Sequence, residues 1–416
     1  MNRLKNGISM VKSNRLDKED ITLFSTADWD NPFWTNKQHV AKAFADDGYR
    51  VLYIESVGLR APTATASDLS RIVKRLKKAL RLPEKVYSSA NLAERSGEVF
   101  VLSPFVIPLQ RYALVRAVNK LLLSASVRIA QLVLGIKRHW LWSYNPLTLE
   151  LLSSNGYRHV IYHCVDAIEQ QPGMPKESMI LAERALSTHV DAVFCTSRAL
   201  LERHLAWGAN ACYFSNVADI DHFSRAKLPE TVIPDDLTAI QAKGPVLGFV
   251  GAISRYKQNF TLLKQIAERK PDWQIVLIGK VGEGDPTDSA EELSCHPNIH
   301  LLGPRPYNVL PAYLKGFSIC MLPVAVNEYT RNMFPMKFYE YLMAGKDVVA
   351  IDIESLQAVQ DFYFPAKDVE PFIDQCENVL SGATRHGLSL EQHLSEQTYQ
   401  ARNQRMLAEI HKLDMS

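Results

Sequence analysis

The 416-residue sequence contains no C-x-x-C spacing; its six cysteines stand singly at positions 164, 195, 212, 295, 320 and 376. That scatter argues against both a zinc knuckle and a disulfide framework. Several lie in apolar runs, such as Phe194-Cys195 and Ile319-Cys320-Met321, as buried thiols of a reducing compartment do. The opening Met-Asn-Arg-Leu-Lys-Asn-Gly holds no apolar signal core. There is no run of about 18 or more uncharged apolar residues, so no membrane-spanning segment is expected. Short-period repeats and low-complexity tracts are also missing.

What is present is globular. Hydrophobic residues make up 47% and charged residues 22% of a chain too long for one ordinary core, so two domains are expected. The net charge of +2 is unevenly spread: residues 60–138 hold 15 Lys/Arg and 4 Asp/Glu, a local +11 that leaves −9 for the remainder. Such asymmetry points to an anionic surface or ligand near the first domain. Within it, Leu69, Ile72, Val73, Leu76 and Leu80 form one face of a helix over Ser67–Arg81, and Arg71, Lys74, Arg75, Lys77, Lys78 and Arg81 fill the other. A basic amphipathic helix of this kind lies on anionic membranes; the alternative is a solvated helix packed on its own domain. Nucleic acid is disfavoured, since no aromatics interleave with the cations for base stacking. The apolar stretch 108–134, with Arg111, Arg116, Lys120 and Arg128 interspersed, extends the same patch.

Residues 327–351 read as loop, short helix, tight turn and strand. Asn332 can cap the helix, Pro335 fits its first turn, and Gly345 supplies a left-handed stop. Residues 347–351 then form a buried strand. Lys337 and Glu340, three apart, share a helical face. A helix start suits a phosphate, Lys337 adds a cation, and Glu340 can accept from a sugar diol. The alternative is one ordinary surface ion pair.

The segment Pro335-Met-Lys-Phe-Tyr-Glu-Tyr-Leu-Met-Ala-Gly-Lys-Asp-Val-Val-Ala350 resembles the donor site of GT-B glycosyltransferases, especially the GT4 family. The resemblance implies that Glu340 holds the nucleotide ribose. The family's first Glu, which grips donor-sugar hydroxyls, falls at Asn332, and its usual Pro falls at Asp347. The loop after the first strand of the second domain, Gly251-Ala-Ile-Ser-Arg-Tyr-Lys257, is similar to the family's phosphate loop. Lys257 matches its Lys; its Arg falls at Ala252, leaving Arg255 as a substitute. Pro304-Arg305-Pro-Tyr307 corresponds to the loop that meets the base. Residues 191–197 and 216–223 match the family's hinge side.

Along the first half, the pattern strand (21–25), loop, helix (37–47) and strand (50–55) opens a parallel sheet. The loop carries Asp28, Asp30 and Asn31 where the family usually has Gly-Gly. Asp28 and Asp30 either contact an acceptor sugar or serve turn chemistry before Pro32. The strand over 159–164 delivers Asp166 to its C-terminal end, where parallel sheets bind ligands. Asp166 is therefore the candidate base, with a helix cap as its alternative role.

The expected fold is α/β: GT-B, two doubly wound Rossmann-like domains facing across a cleft. The expected parts are an acceptor-side domain over 1–223, a linker over 224–244, a nucleotide-sugar-binding domain over 245–385, and a C-terminal helix, 386–416, packing back on the first domain. The implied activity is metal-independent transfer of a sugar from a UDP- or GDP-linked donor to a lipid-linked glycan in surface-polysaccharide synthesis. It requires no cofactor and takes place on the cytoplasmic face of the cell membrane. Asp166 and Lys257 are the expected catalytic residues. Arg255, Lys257, Arg305, Asn332, Lys337 and Glu340 are expected at the donor. Alternatives are a nucleotide-sugar epimerase of the same fold and a weakly active membrane scaffold.

Overall fold

The structure, a computed structural model, describes residues 19–31, 34–57, 82–89, 97–107, 112–285 and 287–414. The expected basic helix Ser67–Arg81, Pro32 and Arg111 lie outside them.

Two sheets form the scaffold. The first has the order β3-β4-β2-β1-β5-β6-β7-β8, with β1 Ile21–Phe24, β2 Arg50–Ile54, β3 Glu84–Ser88, β4 Glu98–Leu102, β5 Trp140–Ser143, β6 His159–Cys164, β7 Ala192–Cys195 and β8 Ala211–Tyr213. Every pairing is parallel except β3 on β4, an edge the sequence pattern did not reveal. The second sheet, order β11-β10-β9-β12-β13-β14, is wholly parallel: β9 Val246–Val250, β10 Gln274–Ile278, β11 Ile299–Gly303, β12 Ile319–Leu322, β13 Val348–Ile351 and β14 Phe364–Ala366. Strand order reverses between β1 and β5 in one sheet and between β9 and β12 in the other, the switch points at which doubly wound sheets bind ligands.

Strand residues alternate between the faces of the first sheet. Leu23, Val51, Tyr53, Trp142, Ile161 and Phe194 enter one core, and Leu52, Ile54, Leu141, Tyr162 and Cys195 the other. The helix Asn36–Asp46 covers the first core through Val40, Ala41 and Phe44. The helix Ala113–Leu134 covers the second through Leu123, Val127 and Ala130. It is also long and apolar enough to cross a membrane, with 28% of its apolar window buried. The sequence missed this because Arg116, Lys120 and Arg128 interrupt the run.

The polar stretch 224–244 is more ordered than a linker. It contains the helix Asp235–Gln241, whose Leu237 and Ile240, three apart, share a face buried in the second domain's core. The chain end forms two helices. Leu388–Glu396 joins the second core through Leu390 and Leu394. Tyr399–Leu413 returns to the first through Met406, Leu407 and Ile410.

Candidate active site between the two sheets

Both switch points open on one cleft. After β1 the loop runs to Thr35, which caps the helix Asn36–Asp46: the backbone N–H of Thr35 donates to Gln38 Oε1 at 3.0 Å. Gln38 also donates to the carbonyl of Asp28 at 2.9 Å, and Trp29 N–H donates to Glu55 Oε1 at 3.0 Å, so the backbone at Asp28–Trp29 is held in place. Asp28 is half-buried and Asp30 exposed.

After β9, Lys257 lies in a loop tied to the end of β12. Its carbonyl accepts from Ala325 N–H at 2.9 Å, and Asn259 N–H donates to Pro323 O at 2.7 Å. Gly279, at the end of β10, must be glycine for this loop to close: a Cβ there would lie 1.8 Å from the Gly251 carbonyl. The Lys257 ammonium lies 5.3 Å from the ring centre of Tyr256 and 5.9 Å from that of Tyr329.

Asp166 follows β6. The 3-10 turn beyond it, Ile168–Gln170, is capped by Ala167, so the Asp166 carboxylate is not a cap. Instead Oδ1 accepts from the Tyr329 hydroxyl of the second domain at 3.4 Å. Between Asp166 and Lys257 lies Lys37, only 8% exposed. Burial lowers its pKa from the usual lysine value; Asp166 opposes that shift and Lys257 adds to it. Among the described residues no ion pair holds Lys37.

On the other side of the Asn36–Asp46 helix, His39 stacks on Tyr399 at 4.4 Å and lies 5.7 Å from Tyr307, which stacks on His222 at 4.0 Å. Beside this column the Lys337 ammonium meets Glu340 Oε2 at 2.6 Å, with Glu340 buried and Lys337 partly open. Burial drives the His39 pKa down to about 3, helped by the cations His222, Lys337, Arg402 and Lys42. Interdomain hydrogen bonds frame the site. Ser197 Oγ donates to Asn332 O at 3.0 Å and Asn216 Nδ2 to Phe334 O at 2.5 Å; within the first domain Asn36 Nδ2 in turn donates to Asn216 Oδ1 at 2.7 Å.

Three expectations need correction in detail. Asn332 does not cap the helix of Lys337; that helix, Met336–Met343, starts after Pro335, and Asn332 ends the preceding turn Glu328–Arg331. Its amide donates to Glu328 O at 2.7 Å, while Asn327 caps that turn. Gly345 does stop the Met336–Met343 helix, at φ 74°. Arg255 turns outward to Asp288 (3.1 Å) and Glu292, and it is mostly exposed. Arg305 is held by Asp236 and the Tyr313 hydroxyl, both at 2.8 Å. Neither arginine joins the cleft group, because acidic partners distant in sequence claim them.

The structure thus brings together Asp166 and Lys257, and separately Lys337 and Glu340. It adds Lys37, Tyr329 and His39, which sequence reasoning missed, and sets Tyr307, from the loop expected at the base, beside His39. Lys37 did leave a signal: a cation in a helix's first turn opposes the macrodipole, and so calls for a reason. Cys164, Glu183 and His204 also converge, buried, beneath β6. Glu183 there already accepts from Tyr162 (2.6 Å) and Arg203 (2.8 Å). A second cation would face the Arg203 guanidinium, so this is a hydrogen-bond network of the core.

Residues 244–382, which include Lys257, Lys337 and Glu340, match the family described as glycosyl transferases group 1. The second half of the chain is thus similar to a group 1 glycosyltransferase domain. Over 262 residues, 59% of this chain, it is 29% identical to TuaH of Bacillus subtilis (strain 168), named as a teichuronic acid biosynthesis glycosyltransferase. The match spans 64% of that relative's length. Sucrose-phosphate synthase from Thermosynechococcus elongatus superposes with a TM-score of 0.66 at 15% identity, covering 96% of this chain and 100% of the other. The Anabaena protein HepE in complex with UDP-glucose superposes with a TM-score of 0.60 at 14% identity, covering 95% and 100%. The stretch matched to group 1 is therefore one half of a GT-B fold.

Proposed function

We propose that the protein is a glycosyltransferase that moves a sugar from a nucleotide-sugar to a hydroxyl of a glycan acceptor during assembly of a bacterial surface polysaccharide. One observation carries this reading. The stretch matched to the group 1 family holds Lys257, Lys337 and Glu340, and the first domain brings Lys37 near Lys257 and Asp166 to the Tyr329 hydroxyl. The likeness to TuaH supports the polysaccharide, and the HepE complex supports a UDP-linked donor.

On this reading the donor diphosphate lies between Lys257 and Lys337. Negative charge grows on the departing phosphate as the glycosidic bond breaks, and fixed cations in a water-poor cleft stabilise it more than they stabilise the ground state. The two lysines then do the work that a divalent ion does elsewhere. Glu340 accepts from the ribose hydroxyls. Asp166 takes the proton of the attacking acceptor hydroxyl. The acceptor is a lipid-linked glycan, and the protein works peripherally at the cytoplasmic face of the membrane.

A panel of UDP- and GDP-linked sugars tests the reading by thermal shift. A ligand present at about 100 times its Kd and binding only the folded state adds about 2.7 kcal/mol of stability. The donor that shifts the melt is then offered with a glycan acceptor. Stabilisation by none of the panel overturns the assignment. Interconversion of the donor without transfer would make the protein an epimerase instead.

A further inference from the structure

The helix Ala113–Leu134 has 22 residues and no Asp or Glu. Its inner face buries Asn119, Leu123, Val127, Ala130 and Gln131. The opposite face of a surface helix is ordinarily polar. Here it presents Leu114 (77% exposed), Leu121 (71%) and Leu132 (64%), with Val118, Leu122, Ile129 and Val133 between them. With the exposed Ala125, the positions 114, 118, 121, 125, 129 and 132 recur at three- and four-residue steps, so they form one stripe along the helix. A continuous exposed apolar stripe marks an interaction surface, where single exposed apolar residues do not.

Charge decides the occupant. From Tyr112 to Arg138 every charged residue is basic; Arg116 pairs with Glu150 at 3.6 Å and Lys120 donates to Leu149 O at 2.7 Å, whereas the exposed Arg128 and Lys137 form no ion pair among the described residues. Packing this face on a second copy of itself would set cation against cation. Anionic headgroups above an apolar layer match both features at once.

Length and hydropathy alone would let Leu114–Leu134 cross a bilayer. The inner face forbids it. Gln131 Nε2 donates to Thr22 Oγ1 at 2.9 Å and to the Tyr157 hydroxyl at 2.8 Å. The Asn119 side chain bonds both backbone groups of Ile107, at 2.7 and 2.9 Å. Withdrawing the helix from the domain would strand these polar groups in hydrocarbon and uncover a face of the first sheet.

We propose that the outer face of the Ala113–Leu134 helix docks the protein on an anionic lipid bilayer, with the helix lying in the interface and not crossing it. This deepens the membrane placement proposed above with a surface separate from the donor residues.

Co-sedimentation of the full chain with vesicles tests it. Binding is expected to phosphatidylglycerol–phosphatidylcholine vesicles, weaker binding to phosphatidylcholine alone, and release by alkaline carbonate. The joint substitution of Leu121→Glu and Leu132→Glu should weaken binding about tenfold or more, since two exposed leucines lose their apolar contact with lipid. Arg128→Glu with Lys137→Glu should remove the preference for anionic lipid. Unchanged melting of the variants, and unchanged stabilisation by the donor, would show that folding and the donor site survive. Loss of donor stabilisation with intact vesicle binding would count against the reaction and leave the docking face standing. Binding indifferent to both pairs of substitutions would overturn the proposal. So would resistance to carbonate extraction, or a lipid-independent dimer that the leucine substitutions dissolve.

Discussion

The Tyr329 hydroxyl, from the second half of the chain, donates to Asp166 Oδ1 at 3.4 Å, joining the end of β6 to the segment that follows β12. The candidate base is therefore bonded to the second domain. Asp166→Asn is expected to abolish transfer and leave donor binding intact, because the amide keeps the shape but cannot take a proton. Tyr329→Phe serves as the control: it removes only the hydroxyl and should retain measurable turnover. The anomeric configuration of the wild-type product then reports whether Asp166 acts by inversion. An Asp166→Asn protein with most of its turnover would reduce the residue to a structural partner of Tyr329.

Lys337 and Glu340 form a half-hidden pair whose carboxylate is buried. Lys337→Ala and Glu340→Ala should each weaken nucleotide-sugar binding by about 1.5–3 kcal/mol, the value of a charge-assisted hydrogen bond. The two losses should not add, since each residue orients the other. Calorimetry on the single and double variants measures both effects. Equal donor affinity in all of them would return the pair to an ordinary helix-surface contact.

The architecture was legible because parallel strands are buried on both faces and read as apolar runs: Val246–Val250, Ile319–Leu322 and Val348–Ile351 are each wholly buried. The edge strand Glu84–Ser88 was not legible, being mostly polar and paired on one side only. At the site, spacing showed Lys337 beside Glu340 because one helical turn fixes that distance. It could not show that Asp236 would hold Arg305, or that Asp288 and Glu292 would hold Arg255, since those contacts depend on how separate loops fold together. The His39–Tyr399 and His222–Tyr307 stacks draw on four distant segments and left no local trace.

Among the described residues no carboxylate pairs with the buried Lys37, and burying an unpaired cation costs stability. Lys37→Met is expected to raise the melting temperature by about 2–4 °C, equivalent to ~1 kcal/mol for a domain of this size. Turnover should fall about 100-fold, as when one preorganised donor to a developing negative charge is removed. Differential scanning fluorimetry and a transfer assay read the two effects. A lower melting temperature with normal turnover would mean that Lys37 holds the fold and not the substrate.

Buried imidazoles, His39 and His204 among them, weaken the fold in acid. Burial holds His39 and His204 at about 3, against an ordinary value near 6.5. Nearby cations add to the effect: His222, Lys337, Arg402 and Lys42 around His39, and Arg203 beside His204. Both rings are neutral when folded and gain a proton on unfolding below about pH 6.5. The unfolded state then binds more protons, so stability rises with pH across this window and is lost as pH falls from about 6.5 toward 3. Each ring should contribute a slope of about 1.4 kcal/mol per pH unit there, and none above pH 7 or so. His39→Gln should lower stability at neutral pH through the lost stack on Tyr399, yet flatten the acid slope by one ring's share. Urea unfolding measured at several pH values separates the two consequences. A slope unchanged in His39→Gln would show that His39 reaches water and titrates normally in the folded protein.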